Sequence, residues 1–135
     1  MLALLLSGLV FAAPCELPEA KRWEHYADEW GHDEKKAEKL VRRPIKIAAH
    51  EGEWTYLKRT CNKAGCDVSF YLKLSSACWK PLVSVQGKIT SFKKGDWSAF
   101  RHQVPSSAIN SEKRRIVVWR FDESEKTFKR QLVER

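Results

Sequence analysis

Val68-Ser69-Phe70-Tyr71-Leu72-Lys73-Leu74-Ser75 is the stretch that decides the fold. Val68, Phe70, Leu72 and Leu74 alternate with Ser69, Tyr71, Lys73 and Ser75, a period of two that sends successive side chains to opposite faces of a β-strand. Working outward, Glu53 to Cys61 is the expected partner, with Trp54 and Tyr56 on one face. Further strands are expected at Ile45–Ala49, Leu82–Phe92, Ile116–Phe121 and Thr127–Val133. Gly95 and Asp96 mark a turn, and Val104–Asn110, with Pro105, reads as a loop.

Upstream the period lengthens. Trp23, Tyr26, Ala27, Trp30, Ala37, Leu40 and Val41 recur at three- and four-residue steps, which predicts helix over residues 19–43. Pro18 suits a first helical turn, and Pro44 disfavours helix at Arg43. Gly31 is expected to divide the segment, closing a first helix at Trp30 from the left-handed capping position, with Asp33 capping a second. Trp23 and Trp30, one heptad apart, are expected to anchor the helix. The expected architecture is α+β: residues 19–43 helical, packed on an antiparallel sheet of about five strands from residues 45–135, with no internal repeat.

The run from Met1 to Ala13 reads as a secretory signal h-region. About twelve apolar residues fall short of the roughly 20 that span a bilayer. A charged n-region is absent. Cleavage is expected after Ala12, leaving 13–135 as a single secreted or periplasmic domain. Cys15, directly after the apolar run, raises lipid anchoring as a lesser reading, and Pro14 argues against it because lipoprotein peptidases favour a small residue there. Export turns Cys15, Cys61, Cys66 and Cys78 into disulfide candidates. Four cysteines allow three connectivities, and sequence proximity selects Cys61–Cys66 across a short turn, leaving Cys15–Cys78. Cys-x4-Cys with one distant cysteine and no nearby histidine is a poor zinc set.

The stretch Gly52-Glu-Trp-Thr-Tyr-Leu-Lys-Arg-Thr-Cys61 to Cys66-Asp-Val-Ser-Phe-Tyr-Leu72 resembles, over about 25 residues, the strand, Cys-x4-Cys loop and strand of periplasmic inhibitors of vertebrate lysozyme. The resemblance implies a hairpin geometry. That family inserts a His and an Asp between the cysteines into its target's cleft. Here Asn62, Lys63, Ala64 and Gly65 stand in those places, so the target is not carried over.

The chain has 135 residues, a net charge of +8 and a pI near 9.5. Residues 15–43 carry 7 basic and 8 acidic side chains, and residues 44–135 carry 18 and 9, so the excess resides in the sheet-forming part. Such a field favours an acidic protein or a polyanion, with nucleic acid admitted but not favoured. Cations and aromatics interleave at Phe92-Lys93-Lys94, Trp97, Phe100-Arg101-His102, Trp119-Arg120-Phe121 and Phe128-Lys129-Arg130. In a strand Trp119 and Phe121 oppose Arg120, which is simply core against water. Trp97, Phe100 and Arg101 follow a turn and are expected to be more open. The candidate docking residues are therefore Lys93, Lys94, Trp97, Arg101, Lys113, Arg114 and Arg115.

Catalytic signals are weak. His25, Asp28 and His32 would share a face only on an unbroken helix, and Gly31 interrupts it; no metal or cofactor is expected. His50, Glu53 and His102 with Arg101 or Arg115 are the residue types an exported nuclease uses, yet nothing in their spacing gathers them. No nucleophile motif or phosphate-binding glycine loop is present. The sequence reads as a small exported basic binding protein without catalysis, for example an inhibitor or immunity protein. A hydrolase using His50 or His102 and a lipid-anchored envelope component are the alternatives.

Overall fold

Two-residue alternation from Val41 onward becomes strand wherever one side of the chain has a core to face. A computed structural model describes residues 14–104 and 115–134; the expected signal segment, the loop at 105–110, Lys113 and Arg114 lie outside them. The strands are β1 (Leu17–Pro18), β2 (Val41–Ile47), β3 (His50–Tyr56), β4 (Cys66–Ser75), β5 (Cys78–Lys93), β6 (Asp96–Gln103), β7 (Arg115–Asp122) and β8 (Thr127–Glu134). Among the described residues eight strands form, against the expected five or so. They run in the order β1-β5-β4-β3-β2-β6-β7-β8, with a further β5–β6 pairing. Neighbours are antiparallel except β2 and β6, which pair in parallel at Lys46 and Asp96, so the sheet is mixed.

The sixteen-residue β5 explains how the circuit β2-β3-β4-β5-β6 closes. Its first part, Cys78–Gly87, pairs with β4, and its second, Lys88–Lys93, pairs with β6. The change of partner falls at Gly87, whose φ is 138°; a Cβ there would meet Gln103 O at 2.3 Å. Only glycine combines that backbone with that approach. Inside the circuit sit Ile47, Val68, Phe70, Leu72, Val85, Phe100 and Phe128. Phe70 and Phe100 stack at 4.5 Å, and Phe128 meets both edge-on. Trp54 stacks on Tyr56 as their alternation predicted, and Trp119 and Phe121 face this core, away from Arg120.

The helix prediction holds in its first half. A 3-10 turn at Glu19–Lys21 leads into α1 (Arg22–Trp30), and Gly31 caps it at φ 69°, ψ 29°. The second helix does not form. Asp33 accepts the Lys35 N–H in a single turn, but Glu34, Lys35, Lys36, Glu38 and Lys39 leave no apolar face to bury, and from Val41 the chain joins the sheet. Trp30 bonds to Ser69 of β4 and so helps to hold the helix on the sheet, whereas Trp23 bonds to the segment that follows the helix. Trp23 and Trp30 are half-buried, donating to Glu34 O and Ser69 Oγ, while Arg22, Tyr26 and Ala27 are buried. Tyr26 donates to Asp67 O and accepts from Leu57 N, tying helix to sheet.

Both disulfides form as proximity suggested, Cys15–Cys78 and Cys61–Cys66. The expected hairpin is looser: β3 stops at Tyr56, a 3-10 turn occupies Lys58–Thr60, and the disulfide closes a tight turn in which Asn62 and Gly65 exchange backbone hydrogen bonds. Gly65 lies against Gly87, where an added Cβ would come 2.0 Å from its carbonyl carbon.

Candidate anion-docking surface

The sequence-selected residues divide between interior and surface. Trp97 is half-buried against Trp54, Phe70 and Phe100, and Phe100 is wholly buried, so the expectation that this segment lies open is corrected. Residues 96–103 form a strand whose irregular pairing, with a register shift between Ser91 and Lys93, turns both rings inward. Lys93 and Lys94 are exposed at the β5–β6 turn, and Arg101 is exposed on the outer face. Arg115 begins β7.

Cross-strand register builds the outer face. Lys88 lies opposite Gln103, Thr90 opposite Arg101, and on the next ladder Gln103 opposite Ile116, Arg101 opposite Val118 and Ala99 opposite Arg120. Lys88, Thr90, Arg101, Gln103 and Ile116 line a cleft of about 170 Å³. Beside it Phe92 is 41% exposed, an unusual place for a large ring, with the Arg101 and Arg120 guanidinium carbons 4.8 and 5.5 Å from its centroid. Two guanidiniums over one ring stand within about a Debye length of each other, roughly 10 Å at 0.1 M salt. Among the described residues no carboxylate pairs with either; Asp122 and Glu125 are engaged by Lys129. Like charges so placed repel, and an incoming anion relieves the repulsion. Phe92 and Arg120 stood among the interleaved cations and aromatics but were not selected as docking candidates, and Lys88 was not singled out, because the cluster is assembled by cross-strand register.

A second polar cluster lies under α1. Arg22, 2% exposed, donates to Thr55 Oγ1 at 2.8 Å, pairs with Glu53 at 3.1 Å, and is stacked 3.9 Å over Tyr71 and 4.4 Å over Trp79. Burial lowers its pKa, with Arg42 adding repulsion. Arg42 bridges Glu53 at 2.7 Å and Glu19 at 2.5 Å, and Trp79 Nε1 donates to Glu19. The Arg42 hydrogen bond, opposed by burial and aided by Trp79, holds the Glu19 carboxyl near 2. Each guanidinium in the cluster has a carboxylate partner, while Arg22 Nε and Nη1 lie buried without a hydrogen-bond partner. The adjoining groove of about 350 Å³ runs past Lys46, Glu51, Glu53, Lys73, Trp79 and Trp97, mixing both signs.

The histidines are dispersed. His25 Nδ1 is 2.9 Å from the Tyr71 hydroxyl, while His32 stacks on Tyr26 beside Arg59. Among the described residues no group of three or more His, Cys, Asp or Glu is arranged to hold a metal. His50 pairs with Glu123 at 2.6 Å; His102 is buried and donates Nε2–H to Gln86 O at 2.6 Å, and burial lowers its pKa. Glu53 belongs to the Arg22–Arg42 cluster, so no hydrogen bond or ion pair joins His50, Glu53 and His102 to one another among the described residues. No helix of the described residues is long and apolar enough to cross a membrane.

No family model, curated protein or solved structure matches this chain.

Proposed function

We propose that this is an exported, disulfide-bonded, basic binding protein without catalysis, and that its partner is acidic. The observation that carries the reading is the outer face of β5–β7, where Arg101 and Arg120 converge on the exposed ring of Phe92 without a carboxylate partner among the described residues. The contrast with the Arg22–Glu53–Arg42–Glu19 cluster supports it, because there each guanidinium has an internal carboxylate. Two disulfides fit an oxidising compartment. Lys93 and Lys94 extend the positive field along the β5–β6 turn.

Poly-L-glutamate serves as a model acidic partner. Wild-type protein should bind it in calorimetry at 50 mM salt and release it by 200 mM, while the Arg101→Glu/Arg120→Glu variant should bind weakly at both. Equal binding by the two proteins at each salt concentration sinks the reading.

A further inference from the structure

We infer that the outer face of β5–β7 takes single-stranded nucleic acid, with Phe92 as the base-stacking platform; the inference rests on the acidic-partner reading and names its occupant. Lys88 and Arg101 are diagonal neighbours across the β5–β6 ladder, and Arg101 and Arg120 are diagonal neighbours across β6–β7 in the same sense. Diagonal positions in an antiparallel sheet lie about 7–8 Å apart, so the three cations form a line of even steps across three strands. Charges that repeat evenly along a line match a chain with one anion per repeat, as a phosphodiester backbone has, better than carboxylates scattered on a folded protein.

The second element is the ring. Phe92 is 41% exposed beside the two guanidiniums, so a base stacked on the part of the ring they leave open would have its flanking phosphates near Arg101 and Arg120. Thr90 and Gln103, in the adjoining cleft, add hydroxyl and amide groups that both donate and accept, as base edges do. Together the line of cations, the exposed ring and the polar cleft give this face the components of a single-strand site on a β-sheet.

Fluorescence anisotropy with a fluorescein-labelled ten-nucleotide oligo-dT tests the assignment, with poly-L-glutamate and a heparin-derived hexasaccharide measured at the same salt concentrations. Wild-type protein should bind the oligonucleotide with log K falling against log salt at a slope of about −2 or steeper, and Arg101→Ala should reduce that slope by about 0.7. Phe92→Ala should weaken oligonucleotide binding roughly 5- to 150-fold, weaken poly-L-glutamate binding by much less, and be rescued by Phe92→Trp. Circular dichroism on each variant establishes that the fold is retained. If Phe92→Ala leaves oligonucleotide binding intact while arginine changes abolish it, the base platform is wrong and the acidic-partner reading stands. Tighter binding of the hexasaccharide than of the oligonucleotide, with the same dependence on Phe92, overturns the nucleic-acid assignment in favour of a glycan. Binding of none of the three probes at 50 mM salt overturns both readings.

Discussion

Glu19 and His102 make the molecule sensitive to acid by separate routes. Arg42 and Trp79 hold the folded Glu19 carboxyl near 2, below the 4.5 of the free side chain. The unfolded chain therefore takes up that proton first, and the stability Glu19 contributes is present above pH 4.5 and lost as pH falls from there toward 2. His102 is also shifted down, by burial, so its contribution is intact above about 6.5 and declines as pH falls below that value. Melting temperature should accordingly drop in two steps on acidification. His102→Gln should flatten the first and Glu19→Gln the second; an identical pH profile in either variant contradicts that residue's assigned role. Neither role was legible in the sequence. Nothing in the sequence marks Arg22 or Arg42, and only the fold reveals that Trp79, Tyr71 and two carboxylates surround them.

At the scale of elements, alternation predicts strands well where one face is apolar and fails where geometry is irregular. The β4 stretch was read correctly, yet both its faces are buried: Phe70 enters the core while Tyr71, on the opposite side, lies fully buried beneath α1. Its two-residue period survives because Ser69 and Tyr71 receive Trp30 and His25 from the helix. Strand β6 was missed because Trp97 and Phe100, three residues apart, both turn inward near a register shift, which breaks the period. The bend in β5 had only one signal, the isolated Gly87 inside a strand pattern. Gly87→Ala should cost at least about 2 kcal/mol, since it combines left-handed backbone with overlap on Gln103 O. Urea unfolding measures it, and an unchanged midpoint contradicts the account of how β5 changes partner.

For the whole molecule, the two disulfides act on different lengths of chain. Cys15–Cys78 joins residues 63 apart and fastens β1 and the start of the helical segment to β5. On the chain-entropy model its loss costs about 4 kcal/mol. The Cys15→Ser/Cys78→Ser variant should therefore melt well below the wild type, and a melting temperature within a degree of wild type would contradict that assignment. The pairing was legible from proximity and elimination. The proposed docking surface was only half legible: Arg101, Lys93 and Lys94 stood out as cations near aromatics, whereas the exposed ring beside Arg101 is Phe92, because Trp97 and Phe100 pack in the core. Charge composition suggested the kind of partner we propose, and cross-strand register suggested the place.

An amide-resolved NMR titration of the wild-type protein with poly-L-glutamate and with ten-nucleotide oligo-dT would locate the proposed surface. Shifts concentrated at Lys88–Phe92, Ala99–Gln103 and Val118–Arg120, diminishing as salt is raised, are the predicted result. Shifts centred on the groove beside Lys73 and Trp79 or on the Cys61–Cys66 turn, or no shifts with either probe, would contradict it.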